Sequence, residues 1–140
     1  MNGIPSVQVD ACIELRLLVP EQPSLPLPVS LRYGSCDPYA VTVQFHGADE
    51  QVEWVFAREL LVAGLAGAEG LGDVRVRAVR DGHRDDVVII SLASPDGRAE
   101  LEADAGDVRA FLVRTEQVVP LGGEHHFFDV DAELQQLLAG

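Results

Sequence analysis

Residues 7–19 alternate over an unusually long run. Val7, Val9, Ala11, Ile13, Leu15, Leu17 and Val19 fall on one side, and Gln8, Asp10, Glu14 and Arg16 fall on the other. Period two over that length predicts a half-buried antiparallel strand. Pro20, Pro23, Pro26 and Pro28 follow closely. Each fixes φ and removes a backbone donor, so this segment is expected to be an extended connection and not a sheet interior. A short strand near 29–33 comes next, ended by Gly34 and the turn-forming Asp37-Pro38 pair. Val41, Val43 and Phe45 then alternate with Thr42, Gln44 and His46, and Gly47 to Glu50 turn the chain into a strand over 52–56.

Here the period changes. Ala57, Leu60, Leu61, Gly64 and Leu65 fit i, i+3, i+4, i+7 and i+8, a short amphipathic helix ending in a loop with Gly67, Gly70 and Gly72. A meander of strands near 74–78, 87–92 and 99–103 follows. Its turns are expected at Asp81-Gly82-His83-Arg84 and at Ser94-Pro95-Asp96-Gly97. Val108, Phe111, Leu112, Thr115 and Val119 draw one face of a second helix with Asp104 as its cap, stopped by Pro120. Val130, Leu134, Leu137 and Leu138 draw a third, with Asp129 as its cap. The expectation is a single α+β domain spanning 1–140, strand-rich and antiparallel, with about seven strands and three helices.

The charge adds a constraint. The 140 residues carry 10 basic and 23 acidic side chains, a net of −13, and every basic residue is arginine. Such a field repels phosphate backbones and anionic membranes, since binding to them depends on cations that release counterions. Arg75, Arg77, Arg80 and Arg84 form the local basic stripe, a weak candidate for partner or nucleic-acid binding and otherwise a polar strand face meeting acids from its neighbours. Cys12 and Cys36 are expected to be reduced thiols, not a disulfide scaffold. No leader or spanning segment is expected, which points to a cytoplasmic protein.

Catalytic chemistry finds little support. His125 and His126 are adjacent, and neighbours on a strand point to opposite faces, so they are not expected to share a metal. Neither a zinc spacing nor a G-x-S-x-G or S-x-x-K arrangement occurs. Cys36 sits beside Asp37, whose carboxylate would raise the thiol pKa, the wrong direction for a nucleophile. Glu100 and Glu102 share a strand face and read as solvated surface. Gly70-Leu71-Gly72-Asp73 precedes a strand, so it lacks the helix N-terminus of a phosphate cradle. No enzyme, metal or cofactor is expected. Trp54 and Phe56 are expected in the core.

Several blocks resemble one family. Asp37-Pro38-Tyr39-Ala40-Val41, Val52-Glu53-Trp54-Val55-Phe56-Ala57-Arg58-Glu59-Leu60-Leu61, Gly72-Asp73-Val74-Arg75-Val76, Leu92-Ala93-Ser94-Pro95-Asp96-Gly97, Phe111-Leu112-Val113-Arg114-Thr115 and Asp129-Val130-Asp131-Ala132-Glu133-Leu134 occur in the order shown by the SsgA-like sporulation and cell-division proteins. Leu25-Pro26-Leu27-Pro28 and Leu31-Arg32-Tyr33 look most like that family's SsgB branch. The resemblance implies a non-enzymatic regulator at septa that helps recruit FtsZ and promotes its assembly, with SsgA-type regulators as further partners. It also implies a trimer similar in shape to the whirly-type single-stranded nucleic-acid binders. The alternative is therefore a whirly-like nucleic-acid binder using the arginine stripe, which the acidic balance disfavours.

Overall fold

The computed structural model describes residues 7–46, 51–69, 72–80 and 86–127. The strands are β1 (Gln8–Leu17), β2 (Leu25–Gly34), β3 (Asp37–His46), β4 (Gln51–Ala57), β5 (Ala68–Glu69), β6 (Val74–Val79), β7 (Val87–Ser94) and β8 (Gly97–Asp104). Helix α1 (Arg58–Ala66) lies between β4 and β5, and α2 (Ala105–Val118) follows β8. A 3-10 turn, Glu124–His126, comes last. The strands form one eight-stranded antiparallel sheet in the order β4-β3-β2-β1-β8-β7-β6-β5. The turns expected at 47–50 and 81–84, and the helix expected over 130–138, lie outside the described residues.

The sheet is two meanders joined between β1 and β8. That joint has two register pairs, Arg16 with Glu102 and Leu17 with Leu101, and a bond from the Leu18 amide to the Glu100 carbonyl at 2.9 Å. The sheet curls strongly. Val43, Phe45 and Trp54 from one meander line the same apolar space as Ile90, Leu92 and Leu101 from the other. The period-two pattern sets this inner face: Val9, Leu15, Val29, Leu31, Tyr33, Val41 and Val43 are buried, as are Val76, Val88, Ile90, Leu101 and Ala103. Phe56 is buried and Trp54 packs partly buried against the core, as their pattern predicts.

Helix α2 presents Val108, Phe111, Leu112 and Thr115 to that interior, and Val119 beyond its end is buried as well. Helix α1 packs on β6 through Gly64, where a Cβ would stand 2.6 Å from the Val76 Cβ. That approach requires glycine.

Four expectations need correction. The proline segment does not end before the sheet: β2 starts at Leu25 and pairs with β1 through Pro28 opposite Glu14 and Pro26 opposite Arg16. The two prolines have the same parity, so both missing donors fall on one side of β2, where the described pairs with β3 begin only at Val29. Asp37 and Pro38 open β3, and the turn is Ser35-Cys36. The two-residue β5 was not foreseen, which makes eight strands instead of seven. Finally, Asp104 holds the N-cap position of α2 but makes no cap hydrogen bond, because its carboxylate receives the Arg16 guanidinium at 3.0 Å.

Candidate functional site

The outer face of the sheet carries the predicted arginine stripe. Arg75 and Arg77 project outward from β6, and Arg80 is exposed just beyond it. Arg84 lies outside the described residues. The neighbours across the strand are not the expected acids: Arg75 faces Ser91 and Arg77 faces Ile89. Acids stand one strand further, Glu100 opposite Ser91 and Glu102 opposite Ile89. Glu102 is itself held by Arg16 at 2.8 Å. The stripe is thus a pair of cations on a face that turns acidic two strands away.

Ser30 Oγ lies 2.6 Å from His46 Nε2 on the same outer face, with Cys12 Sγ 3.9 Å from the hydroxyl. Ser30 is a central-strand residue, paired with Cys12 on one side and Gln44 on the other. The backbone N–H groups around it serve the two ladders, which leaves none to receive a developing oxyanion.

His125 and His126 sit on the 3-10 turn and not on a strand, and their ring centroids are 3.9 Å apart. The premise of opposite faces therefore fails. Among the described residues, no cluster of three or more His, Cys, Asp or Glu side chains has metal-binding spacing.

The most constrained constellation centres on a residue that the sequence reading passed over. Arg58, the first residue of α1, is fully buried. Its Nη1 donates to the Val119 carbonyl at 2.7 Å and to Thr115 Oγ1 at 3.4 Å, closing the C-terminal end of α2. Its Nη2 stands 3.1 Å from Glu124 Oε2, a close ion pair without hydrogen-bond alignment. Its Cζ lies 4.8 Å from the centroid of the Tyr33 ring, a cation–π distance. Tyr33 in turn donates its hydroxyl to the Pro38 carbonyl at 2.8 Å.

One guanidinium thereby ties α1, α2, β2 and the 3-10 turn together. A buried charge is costly unless paired, and here backbone, carboxylate and ring all supply compensation. Burial pushes the Tyr33 phenol up to about 12 despite the nearby cation, and Glu124 and Asp37 add to the rise. Burial alone would raise the Glu124 carboxyl, but hydrogen bonds from its own amide and from the Gly122 amide, together with the close Arg58 guanidinium, hold it below the usual carboxylate range. A signal was present: Arg58 shares the i, i+3, i+7 face of Leu61 and Leu65, where an exposed arginine would be out of place.

A groove of about 430 Å³ opens beside this knot. Tyr39, Ala57, Val62 and Leu121 supply its apolar walls, the exposed Glu59 and His125 stand on its rim, and the half-buried Glu124 also lines it. Tyr39 and Leu121 are 47 % and 42 % exposed, so large apolar surface faces solvent at a concave site. The arrangement suits recognition better than bond-making. No helix among the described residues is long and apolar enough to cross a membrane.

Residues 27–124 match the family described as Streptomyces sporulation and cell division protein, SsgA. The chain is 53 % identical over 128 residues to the sporulation-specific cell division protein SsgB of Streptomyces coelicolor, covering 91 % of this chain and 93 % of the relative. It is 47 % identical to SsgB of Kineococcus radiotolerans over 94 % of this chain and 81 % of that one. An SsgB structure from work on mutations that correlate to longitudinal cell division during sporulation of Streptomyces coelicolor superposes with a TM-score of 0.85. That pair is 49 % identical, with 91 % of this chain and 100 % of the other covered. The SsgA-like sporulation-specific cell division protein of Thermobifida fusca also gives 0.85, at 40 % identity over 96 % and 98 % of the two chains. Similarity of this extent, in sequence and in backbone, means that the chain belongs to the SsgA-like family of sporulation and cell division proteins.

Proposed function

We propose that this protein is a non-enzymatic regulator of sporulation-specific cell division that helps recruit FtsZ to septum sites and promotes its assembly. The observation that carries the reading is the 53 % identity to SsgB of Streptomyces coelicolor across 91 % of the chain. The geometry supports it through an open, partly apolar groove on a surface fixed by a buried arginine, which is what a binding module needs. SsgA-type regulators are further partners in this reading, the site of action is the cytoplasmic side of the septum, and the working unit is a whirly-like homotrimer. A trimer multiplies weak contacts to a polymer, because a second site held nearby binds at high effective concentration.

The test is sedimentation of FtsZ with GTP, with and without this protein. Co-pelleting with increased polymer supports recruitment; normal FtsZ pellets with this protein left in the supernatant sink it. A monomer mass at micromolar concentration sinks the trimer. The outward arginines Arg75 and Arg77 favour a second reading, single-stranded nucleic-acid binding. Such binding should weaken steeply with salt, whereas a mainly apolar protein contact should not.

A further inference from the structure

We infer that the groove beside α1 seats a partner segment in which an apolar side chain stands next to an arginine or lysine. The apolar half of the argument is Tyr39 and Leu121, both substantially exposed, with Val62 and Ala57 lining the same groove. An aliphatic anchor entering there removes apolar surface from water on several sides. The cationic half is the rim. Glu59 is exposed in the first turn of α1, while the Glu124 carboxylate is already matched by Arg58. The Tyr39 ring adds a face that attracts a cation.

Charge selects this occupant over the chain's own continuation. Phe128-Asp129-Val130-Asp131-Ala132-Glu133 carries three carboxylates, which Glu59 on the rim repels. A locally basic segment of another protein meets the rim with attraction, whatever that protein's net charge. This inference rests on the division-regulator reading only in taking the partner to be a protein.

The experiment uses the full isotope-labelled chain and a short peptide with a central leucine–arginine pair in a glycine–serine background, titrated to millimolar and followed by amide chemical shifts. The expected shifts concentrate at Tyr39, Val62, Leu121 and Gly122. Replacing the peptide's arginine with glutamate should weaken binding by about tenfold, a like-charge penalty. Leu121→Ser and Tyr39→Ala should each cost about tenfold, and Glu59→Gln about threefold, as central anchors and a rim charge do. Val113→Ser, an equally exposed apolar site on α2, should change nothing. All four substitutions fall on solvent-facing positions, and the spectrum itself reports whether each variant is folded.

Shifts spread over the acidic surface, no shifts at all, or binding undiminished in Leu121→Ser and Glu59→Gln would each overturn the inference. Peptide seated in the groove with no FtsZ co-pelleting removes the FtsZ reading and keeps the groove. FtsZ co-pelleting with an unperturbed groove does the reverse.

Discussion

Arg58 and the pair Arg75 and Arg77 carry the same guanidinium in opposite circumstances. The pair is conspicuous along the chain, alternating with Val74, Val76 and Ala78, and on β6 both side chains stand exposed on an outer face. Arg58 is one arginine between alanine and glutamate, and it joins four elements inside the protein. Local density of charge therefore says little about where charge matters. Position on a helical face, and what the rest of the chain brings to that position, decides it.

The sharpest way to break the comparison is Arg58→Ala. It leaves the Val119 carbonyl and the Glu124 carboxylate without their cation, at an expected loss of about 3–5 kcal/mol in denaturant unfolding. Arg58→Met fills the same space without charge and should cost less. If both variants unfold at the wild-type midpoint, the knot contributes nothing and the contrast fails.

Alkaline pH is expected to act next most strongly, through Tyr33. Its folded pKa is raised, to about 12, above an unfolded value near 10. The neutral phenol's contribution is thus complete below about pH 10 and is lost as pH rises toward 12, on the order of 2 kcal/mol after screening. Unfolding midpoints of wild type and Tyr33→Phe, followed from neutral pH to 12, should converge as the loss proceeds in wild type alone.

Glu124→Gln should cost about 1–2 kcal/mol at neutral pH, as expected when a buried cation loses its carboxylate but keeps a backbone acceptor. The Glu124 pKa is depressed in the folded state. Its contribution is therefore present above the ordinary carboxylate value of about 4.3 and is lost as pH falls below it. The gap between wild type and variant should close only in that acid range. The smallest effect belongs to the stripe: Arg75→Ala with Arg77→Ala should shift stability by less than about 0.5 kcal/mol. A larger shift, or a loss of FtsZ co-pelleting, would restore the stripe as a site.

Much of the sheet was legible because its inner face follows strict alternation. Val41 and Val43, Leu101 and Ala103, and the long run in β1 each announce a strand, and Val108, Phe111, Leu112 and Thr115 announce α2. The failures have a common cause. Pro26 and Pro28 are tolerated because their missing donors share one side of β2, where the described pairing with β3 begins only at Val29, and no signal around the prolines carries that fact. Asp104 looks like a cap and occupies the cap position, but Arg16 arrives from the far end of the chain to take its carboxylate. The histidine rings approach because Gly122 and Gly123 lead into a 3-10 turn where a strand was assumed. The groove was illegible for the same reason, since Tyr39, Val62 and Leu121 meet only after the sheet has curled.

The joint between β1 and β8 implies an order of assembly. Each meander is built from hairpins between neighbouring strands, which close short loops, while Arg16 finds Glu102 across 86 residues of chain. Ends so far apart meet at an entropic cost that hairpins do not face. The two meanders are therefore expected to form first and to be stitched last at two residue pairs, with Arg16 as the clasp. An unfolding rate that rises in Arg16→Ala, with the folding rate and the early burial of Val41 and Ile90 little changed, would be the kinetic mark of that final stitch.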